Sequence, residues 1–205
     1  MSYAETTNPN APVSMVEKWD KTFAESSRVE HRKVSFHNRY GITLVGDLYL
    51  PKNRGQQKLA AIAVSGPFGA VKEQSSGLYA QTMAEQGFVT LAFDPSYTGE
   101  SGGQPRNVAS PDINTEDFSA AVDFLGIQKE VDRNRIGILG ICGWGGMALN
   151  AAAMDTRIKA VATSVMYDMS RAMGHGVGDG KDRYSTADRR AVLQYLNEQR
   201  WKDAE

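Results

Sequence analysis

Arg135-Ile136-Gly137-Ile138-Leu139-Gly140-Ile141-Cys142-Gly143-Trp144-Gly145-Gly146-Met147-Ala148-Leu149-Asn150 is an apolar run that passes through a glycine-rich turn into a run of small residues. The first part has the continuous hydrophobicity of a strand buried on both faces, and the last part reads as a helix. A turn of this kind holds a nucleophile in a strained conformation, and small neighbours let the strand and helix approach closely enough. Gly140 stands two residues before Cys142, with Gly145 and Gly146 three and four after it. The strict elbow pattern has glycine two after the nucleophile, where this chain has Trp144. A thiol in that turn lies at the positive end of a helix macrodipole, which favours the attacking thiolate.

Two other readings compete for the same residues. Cys142 could be a small buried apolar residue at a strand end, since unpaired cysteine is among the most buried types. The stretch from Gly143 to Ala148 also satisfies G-x-G-x-x-G/A, with Asp168 placed about twenty residues on, as a ribose-binding carboxylate would be. That fingerprint opens the first βαβ unit of its domain, whereas two βα units and a hairpin precede it here.

Outward from the turn, Leu59–Val64, Phe88–Phe93, Arg135–Ile141 and Lys159–Met166 are short apolar runs separated by helical stretches. This alternation predicts a parallel sheet with flanking helices. A serine-capped helix is expected over 75–86, ended by Gly87. Another starts at Asn114 and Thr115, with Phe118, Ala121, Val122 and Leu125 as its inward stripe, and a third covers about 145–154. Ahead of the first apolar run, Val29–Phe36 and Ile42–Leu50 alternate in the manner of an antiparallel hairpin, with Ile42, Leu44, Leu48 and Leu50 on one face and Thr43, Asp47 and Tyr49 on the other. The organisation expected is a mobile tail over 1–27, carrying at most one amphipathic turn near Val16–Phe23, then a core over 28–169. Residues 170–205 then hold a glycine loop from Gly174 to Gly180 and a helix opened by a capping box at Ser185, with Val192, Leu193 and Leu196 inward.

Composition bounds the function. In 205 residues, 41% hydrophobic and 23% charged, 23 Lys and Arg meet 24 Asp and Glu. That is one large domain or two small ones with a real core. It has no net field for nucleic acid or anionic lipid. A single cysteine excludes an intramolecular disulfide framework and a cysteine-cluster metal site, and it fits a reducing, cytoplasmic compartment. The longest apolar run is far short of the ~20 residues of a membrane span. No cofactor, metal, nucleic-acid or membrane partner is expected, and a homo-oligomer is left open.

Three further stretches stand in the same order as the motifs of a known family. They are Gly66-Pro67-Phe68-Gly69-Ala70-Val71-Lys72-Glu73-Gln74, Asp94-Pro95-Ser96-Tyr97-Thr98-Gly99-Glu100-Ser101-Gly102-Gly103, and Asp155-Thr156-Arg157-Ile158-Lys159-Ala160-Val161. Together with Gly140–Gly146, they resemble the α/β-hydrolase superfamily, in its dienelactone-hydrolase-like and YcjY-like branch, which includes fungal polyketide transferases and thiohydrolases. The resemblance implies acyl transfer on an ester or thioester with Cys142 in the nucleophile position. It implies an oxyanion hole from the N–H of Gly143 and one from the loop after the third strand, where Pro67 has no N–H and Phe68 is the candidate. Asp94 and Ser101 are expected to make local backbone hydrogen bonds.

A triad also needs an acid and a base after the nucleophile, which the family carries after strands seven and eight. The histidines are His31, His37 and His175. Only Asp168 as acid with His175 as base has the right order. The expectation is therefore an α/β-hydrolase sheet without its last two strands, the N-terminal part of a longer hydrolase. A non-catalytic binding protein and a dinucleotide-binding oxidoreductase are the alternatives.

Overall fold

The computed structural model describes residues 18–178 and 183–205. They fall into two units that divide between Met166 and Tyr167. In the first unit β1 (Val29–His37) and β2 (Thr43–Pro51) form the expected antiparallel hairpin, Val29 opposite Pro51 and His37 opposite Thr43. β3 (Leu59–Ser65), β4 (Val89–Phe93), β5 (Val131–Ile141) and β6 (Ile158–Ser164) follow, interleaved with α1 (Ser75–Glu85), α2 (Pro111–Gly126) and α3 (Trp144–Met154). The sheet order is β1-β2-β4-β3-β5-β6, with β2 antiparallel to β4 and the last four strands mutually parallel.

Alternation in β2 sends Leu44, Leu48 and Leu50 to one face and Tyr49 to the other, and both faces are buried. On the first face Phe93 and Ile138 pack with Phe118, Ala121, Val122 and Leu125 of α2 and Met147, Ala148 and Ala151 of α3. Phe93 and Phe118 meet edge to face at 5.4 Å between ring centroids. On the second face Tyr49, Val64, Ala92 and Leu139 pack against Ala80 and Ala84 of α1. The parallel strands thus end together at the edge where the β3, β4 and β5 loops emerge, which is where an open α/β sheet carries its site.

Several local expectations are corrected. α1 is capped by Gln74 without a side-chain bond, because Ser75 and Ser76 already lie inside the helix. α2 begins at Pro111, not at Asn114: proline fits the first helical turn, and the Asn114 amide oxygen accepts the Ser110 N–H at 2.8 Å from within that turn. β5 begins at Val131, where Leu59 pairs with it across a register shift that the alternation does not carry. Residues 18–27, expected as part of a mobile tail, bond to the fold: the Thr22 N–H donates to Glu73 O at 2.9 Å, the Ser26 N–H to Gln81 Oε1 at 3.1 Å, and Lys21 pairs with Asp47 at 2.9 Å. Val16 and residues 1–17 in general lie outside the described residues.

In the second unit α4 (Met169–His175) takes in Gly174 and His175, which the sequence assigns to a loop; Gly180 lies outside the described residues. α5 (Thr186–Ala204) opens on the predicted capping box, Ser185 Oγ accepting the Asp188 N–H at 3.2 Å and Asp188 Oδ2 accepting the Ser185 N–H at 2.8 Å. Its predicted inward residues Val192, Leu193 and Leu196 are exposed, since no described element covers that stripe.

Candidate active site

Cys142 stands between the end of β5 and the start of α3 at φ +59°, a left-handed conformation that residues with a Cβ adopt at a cost. Its N–H donates to Ser164 O at the end of β6, 2.9 Å away, and its side chain is half-buried against the apolar cluster that includes Val64, Leu139 and Ile141. The turn closes with the Gly145 N–H donating to Cys142 O at 3.0 Å. This is the strand–turn–helix expected of a nucleophile elbow.

The surrounding glycines have distinct jobs. A Cβ on Gly140 would run into the Trp144 backbone and lie 2.8 Å from Ala148 Cβ, so this position sets how closely α3 lies on β5. A Cβ on Gly145 would lie 2.6 Å from Met166 Cγ. Gly146 faces open space. The glycine missing at position 144 is compensated across the site. Gly66, at φ +98°, packs against Ile141 O and Trp144 Cβ, where a Cβ would lie 2.5 and 2.7 Å away. Trp144 itself is buried and fills the space between the β3 loop and α2, 5.6 Å from Phe68 and 6.4 Å from Phe118 between ring centroids.

The two expected oxyanion donors, Phe68 and Gly143, lie on either side of that contact, Phe68 on the loop after β3 and Gly143 as the N-cap of α3. Among the described residues no protein acceptor takes the N–H of either. Backbone N–H groups without a protein partner at a helix N-terminus are the donor type that stabilises a developing oxyanion.

Behind them the β4 loop is held from within. Ser101 Oγ donates to Asp94 O at 2.6 Å and accepts the Val45 N–H at 2.9 Å, while Asp94 Oδ2 accepts the Glu100 N–H at 3.0 Å, as the local-bonding expectation requires. Asp117 accepts from Asn38 Nδ2 at 2.9 Å, Asn114 Nδ2 at 3.1 Å and the Ser96 N–H at 2.8 Å, tying the hairpin turn, α2 and the β4 loop together. Burial pushes its carboxyl above the usual range in spite of those donors.

Nothing in the sequence neighbours of Lys72, Val71 and Glu73, signals burial or a role for it. It is fully buried, and its ammonium bonds to Glu73, to Asp94 Oδ2 at 3.0 Å and to Glu100 Oε2 at 2.5 Å. Burial alone would push that ammonium down, but Asp94, Glu100 and Glu73 outweigh it and hold it above the ordinary lysine range. The one group of three metal-type ligands found among the described residues is this same Glu73, Asp94 and Glu100, and its cation is the lysine.

Asp168 does not close β6. It is the N-cap of α4, fully exposed, with its Oδ1 accepting the Arg171 N–H at 2.9 Å and the Ser170 hydroxyl at 2.6 Å. His175 is the last residue of α4, so seven residues of helix, about 10 Å of rise, separate the two. The Asp168 carboxylate is thus taken up in capping the start of α4, while His175 stands at the opposite end of that helix. His31 is spent elsewhere, 2.8 Å from Asp47 Oδ1.

Comparison with known proteins identifies the fold family. An uncharacterized protein of Pseudomonas aeruginosa, PA2218, is 67% identical over 202 residues, covering 98% of this chain and 54% of the relative. The crystal structure of hypothetical protein PA2218 superposes with a TM-score of 0.90 at 69% identity, covering 95% of this chain and 60% of that one. The thiohydrolase aneE of Aspergillus aculeatus is 34% identical over 69% of this chain and 41% of its own length. The α/β hydrolase GrgF of a Penicillium species gives a TM-score of 0.70 at 25% identity, over 86% of this chain and 56% of that one. The chain thus spans about half the length of the relatives it matches. These are hydrolase-fold relatives, and they set aside the dinucleotide reading of Gly143–Ala148. With the PET hydrolase-like family model matching residues 3–193, on a six-stranded mixed sheet whose structural neighbours are α/β hydrolases, the chain belongs to the PET hydrolase-like family.

Proposed function

We propose that this chain carries the nucleophile and oxyanion hole of an enzyme that hydrolyses or transfers the acyl group of a small-molecule ester or thioester. Cys142 is the nucleophile: its sulfur attacks the carbonyl carbon, and the carbonyl oxygen becomes an oxyanion held by the N–H groups of Gly143 and Phe68. The intermediate then collapses, the alkoxide or thiolate leaves, and a thioester remains on Cys142. The observation that carries this reading is the left-handed backbone of Cys142 at a strand-to-helix turn. Relatives named thiohydrolase and acyltransferase support the same class of chemistry.

Deacylation needs a base and an acid to orient it. Asp168 caps α4 and His175 lies a helix length away, so we assign neither group to this chain's described residues. In this proposal they belong to a longer protein of the family that contains this chain, whose relatives are about twice its length. A hydrolase-fold protein acting by binding alone is the second reading; in its favour, among the described residues Asp168 caps its own helix and His31 pairs with Asp47.

The test is stoichiometric. The chain is incubated with p-nitrophenyl acetate or iodoacetamide at neutral pH, and adducts are mapped by mass spectrometry, with Cys142→Ala as control. Selective acetylation of Cys142 is the expected result. Acetylation confined to surface lysines, equal in wild type and Cys142→Ala, would sink the nucleophile reading in favour of binding.

A further inference from the structure

The loop that carries Phe68 is fastened at two ends. Its start is fixed on the elbow by Gly66, packed on Ile141 and Trp144, and by the contact of Phe68 with the Trp144 ring. Its far end is fixed by Lys72, whose backbone N–H donates to Asp94 Oδ1 at 2.8 Å while its ammonium reaches Asp94 Oδ2 at 3.0 Å. The same Oδ2 accepts the Glu100 N–H at 3.0 Å. One buried carboxylate therefore holds the ends of both site loops. Glu100 is in turn held from β1, Lys33 Nζ lying 2.6 Å from its Oε2.

A buried ion pair is a poor way to add stability, because desolvating two charges offsets their attraction, and apolar packing of the same volume does as well. What the arrangement does provide is direction. An ammonium has three N–H donors, and here each has its own carboxylate: Asp94, Glu100 and Glu73. With the backbone N–H added, residue 72 is fixed in position and orientation, four residues from Phe68.

We propose that Lys72 and Asp94 are positioning residues for acyl transfer at Cys142, holding the Phe68 N–H where the oxyanion forms. This rests on the reading of Cys142 as nucleophile, and two reactions of the same sulfur separate the claims. Acetylation by p-nitrophenyl acetate forms the S–C bond at a carbonyl, passes through an oxyanion and expels p-nitrophenolate. Alkylation by iodoacetamide forms an S–C bond at a saturated carbon, breaks C–I and expels iodide, with no oxyanion. In both, the thiol proton goes to solvent. The ratio of the two rates reports the oxyanion hole alone.

Lys72→Met is expected to lower Cys142 acetylation by about 10²-fold, the effect of losing one oxyanion donor, with alkylation within about twofold of wild type. Glu100→Gln keeps the Lys72–Asp94 bonds and removes one charge at the half-exposed side of the cluster, so it should lose about tenfold in acetylation with alkylation unchanged; it decides the matter if Lys72→Met does not fold. Unchanged acetylation in the folded variants, or equal falls in acetylation and alkylation, would overturn the clamp and leave the nucleophile standing. A wild-type chain alkylated at Cys142 but never acetylated there would remove the nucleophile reading and this one with it.

Discussion

Two aspartates follow parallel strands in this chain and do opposite things. Asp94 comes directly after β4, is fully buried, and accepts from two N–H groups and an ammonium. Asp168 comes four residues after β6, is fully exposed, and accepts from its own helix at Arg171 and Ser170. The first connects segments distant in sequence, 22 residues apart in the case of Lys72. The second connects nothing beyond three residues. An acid at the end of a strand is thus a site residue only when its partners come from elsewhere in the chain, and order along the sequence does not reveal that.

The sharpest test of this contrast removes the first carboxylate. In Asp94→Ala the Lys72 and Glu100 N–H groups lose their acceptor and the buried ammonium loses its nearest fully buried partner. Breaking a buried pair from one side costs about 3–5 kcal/mol. Urea denaturation should show a midpoint lowered accordingly at unchanged slope. A loss below about 1 kcal/mol, the size of a surface pair, would put Asp94 in the same class as Asp168.

A third aspartate sharpens the contrast through pH. Asp47 in β2 is buried, and burial raises its carboxyl, but His31 at 2.8 Å and Lys21 at 2.9 Å more than offset this and hold it below the usual value of 3.8. Lys21 reaches its Oδ2 as an ion pair without hydrogen-bond geometry. In the unfolded chain the group titrates near 3.8, so as pH falls the unfolded state takes up the proton first. The stabilisation is therefore fully present above that value and lost as pH drops through the lower folded value. Asp47→Asn should be clearly less stable than wild type near pH 6, with the gap narrowing below about pH 4. A gap independent of pH would mean that shape, not charge, matters at this position.

How much of this was legible follows from the range of each interaction. The hairpin, the four parallel strands and the elbow are short-range patterns, period two in β2 and glycine spacing around Cys142, and these are written locally in the residues. The exposed stripe of Val192, Leu193 and Leu196 shows the limit: periodicity marks a face but not what covers it. The start of α2 is hidden because Asn114 looks like a cap, whereas the N-cap is Ser110 and Asn114 accepts its N–H from inside the first turn. Lys72 is illegible in the sequence for a different reason. A lysine between valine and glutamate looks solvated, and only folding brings Asp94 and Glu100 around it. Asp168 shows the converse: its position satisfies the triad order, and only the fold makes it the cap of α4.

The smallest effect is the one that closes the contrast. Asp168→Ala removes the N-cap of α4 and leaves the Arg171 N–H and the Ser170 hydroxyl to water, which reaches both because the position is fully exposed. The consequence should stay local: faster proteolysis within residues 169–175, with Cys142 acetylation within about twofold of wild type. If Asp168 instead oriented a base for Cys142, losing it would slow acylation by about 10²-fold or more. Such a fall would require α4 to unwind during the reaction, because the intact helix keeps Asp168 and His175 about 10 Å apart along its axis. An unchanged rate would leave Asp168 as a cap, and would mean that the nucleophile and its oxyanion hole are assembled by the segments before Met166, independently of the acid and base that complete the cycle.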